Sequence, residues 1–277
     1  MIDLHTHTTA SDGRCTPAEL VSRAAAAGVT TLAVTDHDTV GAAVSAAAAC
    51  ETVGLEFVSG IEITAVCRDV DVHVLGYFFD VGSPALRAFL LEQRLRRIER
   101  VREIVARLAR FDIDLDADAL VQPAIDDSSR SAGRPWVARA MVAAGHVPST
   151  GVAFEKWLSR GQPAFVPRLA ASPEEVFARI HEAGGVASLA HPGLLRRDEW
   201  LPAFVAAELD AIEAYHTEHD ASTTARYLDL ARRYRIEVSG GSDFHGDPSH
   251  GAAQPGVVTL PRASYDQLRQ RRSRTLG

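Results

Sequence analysis

Two histidines separated by one residue occur near the start of the sequence, in the run Asp3-Leu4-His5-Thr6-His7. Side chains on a β-strand point to the same face at every second residue, so a strand here would direct both imidazoles to one side. Two neutral imidazoles on one face can share a divalent transition-metal ion. A single pair of this kind is equally typical of polar residues without a ligand, so the interpretation depends on the rest of the chain.

Further side chains of metal-binding type lie at comparable positions. Most follow a hydrophobic, β-prone run that ends abruptly, as Thr31 to Thr35 does before Asp36-His37-Asp38. The strands of a β/α barrel end at one rim, so residues that follow different strands can form one site. Six of the 11 histidines occupy such positions, which favours a metal centre over scattered histidines. The candidate ligands are His5, His7, Asp12, His37, Glu62, His73, His191, Asp243 and His245.

A scaffold of alternating strands and helices is predicted at both ends of the chain. Ile2 to His5 is a predicted strand, and Thr16-Pro17-Ala18-Glu19 has the N-cap, proline and glutamate that begin a helix. Strand and helix patterns alternate up to Tyr77 and resume at Ser172. Repeated β-then-α units predict an α/β protein with a mostly parallel sheet or barrel.

The middle of the chain changes to helical periodicity. We predict an inserted helical subdomain over residues 83–167, between barrel segments 1–82 and 168–277. The arginines of the longest predicted helix, Leu86 to Arg110, could attract an anionic substrate, but its alternation of charged and apolar residues favours a solvated helix face. These arginines are Arg94, Arg96, Arg97, Arg100, Arg102 and Arg107. The basic run from Arg269 to Arg274 is predicted to be a frayed tail.

Composition narrows the class of protein. The chain has 277 residues, 46% of them hydrophobic, which is enough for a substantial core. Its formal net charge of -7 argues against general binding of duplex nucleic acid. Three widely spaced cysteines support neither a disulfide framework nor a Cys-x-x-Cys metal site, so we expect a cytoplasmic protein. With no signal-peptide pattern and no bilayer-spanning run, we expect no membrane association.

Five motifs together resemble the PHP (polymerase and histidinol phosphatase) domain family. In chain order they are Asp3-Leu4-His5-Thr6-His7, Ser11-Asp12-Gly13, Thr35-Asp36-His37-Asp38, Ala190-His191-Pro192-Gly193 and Ser242-Asp243-Phe244-His245-Gly246. The resemblance implies a distorted (β/α)7 TIM-like barrel. The helical insertion is similar to that of PHP phosphoesterases that act on 3',5'-nucleoside bisphosphates or very short oligoribonucleotides.

The resemblance also implies a trinuclear centre of divalent ions. The first ion would be held by His5, His7, Glu62 and Asp243, the second by Glu62 as a bridge with His73 and His191, and the third by Asp12, His37 and His245. Mixed imidazole and carboxylate ligands suit Mn²⁺, Zn²⁺ or Fe²⁺, and we expect Mn²⁺. Three divalent ions beside three carboxylates leave a positive site that attracts a phosphate ester. The implied reaction is hydrolysis of a phosphate monoester by a hydroxide that bridges two ions.

Candidates for proton transfer are Asp36, Asp38 and His216, because the attacking water loses a proton and the leaving alkoxide gains one. Substrate binding is assigned to Arg134, Trp136 and His216. Related insertions usually carry histidine where this chain has Trp136, and lysine where it has Gln162. Loss of these two cationic contacts predicts a substrate with less distal negative charge or a more apolar distal group.

Three functions are compatible with these residues. A phosphoesterase that acts on a small nucleotide-type substrate is favoured, because the insertion resembles the nucleotide-acting group. A phosphatase for histidinol phosphate or another small metabolite would use the same chemistry. A noncatalytic phosphometabolite-binding protein would keep the metal ligands and bind phosphate without turnover.

Overall fold

The computed structural model describes residues 1–247 and 252–275, with side chains described to residue 272. Seven strands form one sheet whose spatial order follows the chain. They are β1 (Ile2–Asp3), β2 (Thr31–Val34), β3 (Glu56–Cys67), β4 (Val70–Tyr77), β5 (Val186–Leu189), β6 (Ala211–Tyr215) and β7 (Glu237–Gly240).

The sheet curves into a nearly closed barrel. Beyond β1 and β7, the Asp243 N–H donates to the His5 carbonyl at 2.8 Å, and a parallel bridge joins Thr6 to Phe244. Strand β4 is antiparallel to both neighbours, whereas all other strand pairs are parallel. The β3–β4 hairpin therefore takes the place of one β/α unit. The predicted α/β fold, a distorted (β/α)7 TIM-like barrel, is confirmed.

Eleven α-helices are formed by the described residues. They are α1 (Pro17–Ala26), α2 (Ala43–Val53), α3 (Pro84–Leu108), α4 (Ala117–Asp126), α5 (Arg134–Ala143), α6 (Thr150–Ala153), α7 (Pro173–Glu182), α8 (Pro192–Leu195), α9 (Leu201–Ala206), α10 (Ala221–Tyr234) and α11 (Arg262–Thr275). The predicted capping box begins α1: the Thr16 hydroxyl accepts from the Glu19 N–H, and the Glu19 carboxylate accepts from the Thr16 N–H at 2.8 Å. None of the described helices is long and apolar enough to cross a membrane.

Between β4 and α7 the chain forms helices and connecting turns. Helices α3, α4 and α5 pack around an apolar cluster that includes Ile104, Val121, Met141 and Leu158. This cluster belongs to the segment predicted as an insertion, and the division of the chain into three segments stays a prediction. The cluster buries many apolar side chains of the segment, whereas Leu86, Phe89 and Leu90 of α3 pack in the cluster that contains barrel strands and α7.

The prediction of a solvated face on α3 is wrong for two of its arginines. Arg96 and Arg102 are 41% and 44% exposed and pair with carboxylates at the surface. Arg97 and Arg100, in contrast, are 7% and 8% exposed. Both find acceptors in distant parts of the chain, since Arg97 pairs with Asp38 and the Arg100 Nε donates to the Val166 carbonyl at 2.9 Å. A guanidinium can be buried where such partners replace water.

The prediction of a frayed basic tail is wrong for the described part of the run. Arg269 and Arg271 lie on α11, whose Tyr265 and Leu268 are fully buried against the barrel. The Arg271 Nε also donates to Asp210 at 2.9 Å. Burial of the two apolar side chains anchors the helix despite its many charges. The side chain of Arg274 lies outside the described residues.

Candidate metal centre

Glu62 is the centre of a cluster that contains all nine predicted ligands. The residue lies on β3 where this strand passes the end of β2, and it is 1% exposed. Five imidazoles surround the Glu62 carboxylate. Its Oε2 is 3.3 Å from ring nitrogens of His5, His7 and His37, and its Oε1 is 2.7 Å from His73 Nδ1 and 3.0 Å from His191 Nε2.

Asp243 and Asp12 are the other two carboxylates of the cluster. Asp243 Oδ1 lies 3.2 Å from His5 Nε2 and 3.1 Å from His7 Nε2. Asp12 lies on the other side of His7, with Oδ1 3.7 Å from His7 Nδ1 and 3.4 Å from His245 Nε2. His7 therefore faces Asp243 and Glu62 with Nε2 and Asp12 with Nδ1.

Three sets of side chains around Glu62 and Asp12 could each surround one ion, because their ligand atoms lie within 4.8 Å of one another. These sets are His5, His7, Glu62 and Asp243; His7, Asp12, His37 and His245; and His37, Glu62 and His73. These sets contain eight of the nine side chains that the resemblance assigns to three ions, and the ninth, His191, lies 3.0 Å from Glu62. The number of ions and the assignment of each ligand stay predictions.

Several buried nitrogens of the cluster lie near carboxylate oxygens but form no hydrogen bond of acceptable angle with the described residues. They are both ring nitrogens of His7, Nδ1 of His37 and Nδ1 of His73. An unsatisfied buried polar group costs about 1–3 kcal/mol, so lone pairs left in this position suit a bound cation. Burial alone would lower the pKa of His7, but the carboxylates of Asp243 and Glu62 raise that pKa to about 10. The site therefore calls for positive charge, and its residues fit divalent metal ions.

Glu213 belongs to the site although no sequence motif identifies it. The residue is fully buried on β6, with Oε1 2.9 Å from His5 Nδ1 and Oε2 accepting from the His191 N–H at 2.7 Å. A proton on His5 Nδ1, held by Glu213, leaves Nε2 as a lone pair that faces Glu62 and Asp243. The only sequence signal is one acidic residue inside the apolar strand Ala211–Tyr215.

We expect Glu213→Gln to weaken metal binding about 10- to 100-fold, because a neutral amide holds the His5 proton more weakly and has only one acceptor oxygen for His5 and the His191 N–H. Metal content and affinity would be measured by equilibrium dialysis with atomic emission analysis. Glu182→Gln, on an exposed glutamate of α7, serves as the matched control. An affinity equal to that of the wild type would show that Glu213 does not position His5.

Of the three candidates for proton transfer, His216 is the one whose side chain contacts a predicted metal ligand among the described residues. Its Nε2 is 3.3 Å from Asp243 Oδ2. The Asp36 carboxylate accepts from Thr8 and Ser11. The Asp38 carboxylate instead faces Arg97, Arg168 and the Thr64 N–H. A role in proton transfer stays a prediction for all three.

Trp136 connects the helical segment to the loop of Asp12. Its side chain is 7% exposed, and the indole N–H donates to the Ser11 carbonyl at 2.8 Å. The Arg130 guanidinium lies 5.1 Å from the ring centroid. In the structure, the indole contacts the loop of Asp12. Stacking of substrate on Trp136 stays a prediction.

Arg134, the other predicted substrate contact, belongs to a group of four arginines that we call the arginine cluster. Its members are Arg97, Arg100, Arg134 and Arg168. Two carboxylates lie among them: Asp38 contacts Arg97 and Arg168, and Asp71 lies 3.4 Å from Arg134 and 3.7 Å from Arg168. Four cations thus face two anions in a largely buried place.

The arginine cluster adjoins the candidate metal centre, because Asp38 follows His37 and Asp71 is two residues from His73. Burial and mutual repulsion lower the pKa of Arg100 to about 9 and that of Arg168 to about 10. Arg100 Nη2 has no hydrogen-bond partner among the described residues. An anion here would supply the missing acceptor and the missing negative charge.

Comparison with known proteins agrees with this geometry. The PHP domain model matches residues 3–143. The chain is 36% identical to the 5'-3' exoribonuclease Rnm of Salmonella typhimurium, over 88% of this chain and 84% of that protein. It is 35% identical to the 3',5'-nucleoside bisphosphate phosphatase of Chromobacterium violaceum, over 92% and 90%. A solved structure from Bifidobacterium adolescentis, described as a metal-dependent phosphoesterase, superposes with a TM-score of 0.88 at 33% identity, over 97% and 95%. The chain therefore belongs to the PHP domain family and is a metal-dependent phosphoesterase.

Proposed function

We propose that this enzyme hydrolyses a phosphate monoester of a nucleotide-type substrate that carries a second phosphate, with 3',5'-nucleoside bisphosphates as the leading class. The observation that carries the proposal is the arginine cluster beside the candidate metal centre. A substrate with two phosphates can place one at each site. The names of the two relatives, a bisphosphate phosphatase and an exoribonuclease, support a nucleotide-type substrate.

The two sites divide the work of catalysis. Three divalent ions, expected to be Mn²⁺, would bind at the centre. They would activate water and neutralise charge on the phosphoryl group. Arg100 and Arg134 would hold the second phosphate and fix the distance to the reacting one. His216, beside Asp243, is the favoured group for proton transfer near the leaving oxygen.

The charge of the arginine cluster distinguishes this function from the alternatives. Histidinol phosphate carries an ammonium group, which four arginines beside two carboxylates would repel. Related insertions usually carry cationic residues where this chain has Trp136 and Gln162. The buried Arg97, Arg100 and Arg168 supply positive charge in their place. They favour a substrate with distal negative charge over one with an apolar distal group.

A phosphate-release screen of metal-analysed protein would test the proposal. The substrates are adenosine 3',5'-bisphosphate, 3'-AMP, 5'-AMP, histidinol phosphate and a short 5'-phosphorylated RNA, and chelated protein is the control. We expect the bisphosphate to give the highest kcat/KM and chelation to abolish turnover. Preference for histidinol phosphate would overturn the proposal. Tight phosphate binding without turnover of any substrate would favour the noncatalytic alternative.

A further inference from the structure

A small cavity opens beside the candidate metal centre, on the side of Asp12 and His245. Its volume is about 150 Å³. Its walls come mainly from the helical segment and include Pro135, Arg139, Thr150 and Phe154. Sites for whole drug-sized ligands measure about 300 to 1,000 Å³, so this cavity suits one ring rather than a complete nucleotide.

The walls have the chemistry that binds a flat aromatic ring. Phe154 begins a π-helical turn directly after α6 and lines the cavity. Pro135 adds a second apolar surface, and Arg139 adds a planar cation whose Nη1 donates to the Asp12 carbonyl at 3.2 Å. Aromatic rings stack on phenylalanine and on guanidinium planes without requiring one pattern of hydrogen bonds.

The cavity is also connected to both places that would hold phosphate. Asp12 and His245 are predicted ligands of the metal centre and line the cavity as well. On the other side, the Arg134 guanidinium lies 5.9 Å from the Phe154 ring centroid and contacts Asp71 of the arginine cluster. A molecule with two phosphates and one ring could occupy all three places at once.

We propose that this cavity binds the nucleobase of the substrate and that Phe154 is the residue on which the base stacks. The inference rests on the proposed function, since it assigns the third part of the same substrate. Binding by stacking predicts similar turnover of bisphosphates with different bases and a clear loss when the base is absent.

The test compares adenosine 3',5'-bisphosphate with an abasic analogue that keeps both phosphates. We expect Phe154→Ala to lower kcat/KM for the adenosine compound about tenfold and to change that for the abasic analogue less than about twofold. Phe154→Trp should retain activity, because it keeps an aromatic face. Phe111→Ala, at a 47% exposed phenylalanine of the same helical segment, is the matched control.

Equal losses on both substrates would overturn the inference, because they would mean that Phe154 supports the fold or positions Arg134 and does not stack on the base. Thermal melting of each variant would detect that effect directly. Failure of the proposed function has a different signature, namely no phosphate release from either compound by the wild type. In that case equilibrium dialysis of AMP with metal-loaded protein decides: binding that depends on Phe154 supports the cavity assignment, and binding that is absent or independent of Phe154 rejects it.

Discussion

Glu62→Gln should abolish metal binding and, with it, phosphate release. We expect it to be the most damaging single change in this protein. Glutamine has nearly the same shape, but it removes the negative charge that five imidazoles share and presents an amide N–H₂ to some of them. We expect kcat/KM to fall by at least about 10³-fold, equivalent to about 4 kcal/mol of transition-state stabilisation. Phosphate release and bound metal per chain would be measured on the same preparation.

Glu56→Gln is the matched control for this experiment. Glu56 lies on the same strand, β3, and its carboxylate accepts from the Tyr265 hydroxyl at 2.8 Å, away from the histidines. The control variant should keep its metal and its activity. Full metal content in Glu62→Gln would contradict a central role for Glu62, whereas loss of metal together with activity would support it.

Arg100→Met should raise KM for a bisphosphate about 10- to 100-fold and leave kcat within a few-fold. A hydrogen bond to a charged group contributes about 1.5–3 kcal/mol, and Arg100 Nη2 is, with Arg168 Nε, one of two buried donors of the arginine cluster that have no hydrogen-bond partner among the described residues. For a monophosphate, which leaves the cluster empty, we expect kcat/KM to stay the same. Steady-state kinetics on the two substrates would separate these outcomes.

Stability distinguishes this role from a purely structural one. Arg100 lies among other arginines, so its removal relieves repulsion, and methionine retains most of the apolar contacts. The loss of the bond to the Val166 carbonyl opposes this gain, so the melting temperature of Arg100→Met should change little. Arg102 lies two residues further along α3 at an exposed position. Arg102→Met should leave kcat and KM unchanged for both substrates. A loss of equal size on both substrates would exclude a distal phosphate site at Arg100.

The metal-centre candidates could be predicted because strand geometry is local. His5 and His7 point the same way from residue spacing alone, and the ends of parallel strands meet at one rim in any barrel. Glu213 could not be found in this way, because a single acidic residue in a strand has no motif around it. Its function becomes evident only when the barrel closes and brings the carboxylate on β6 to His5, which follows β1.

Helical periodicity was less informative about the insertion. Helix α4 contains Pro123, a residue that interrupts a helical pattern in sequence, and burial of Val121 and Ala124 stabilises this helix in the folded chain. On α3, mixed charge has the same appearance in sequence whether an arginine faces water or another segment. Arg97 is buried because Asp38, from the barrel, provides its counter-charge.

The sequence by itself determined the family, the fold class and the chemical types of the candidate ligands, because these depend on short motifs and on local strand and helix periods. The tertiary structure alone decided which groups surround them: the carboxylate behind His5, the arginine cluster and the cavity beside Asp12. Each arises from segments far apart in the chain. Burial of a charge depends on such distant partners, because a guanidinium or carboxylate leaves water only where another group satisfies it.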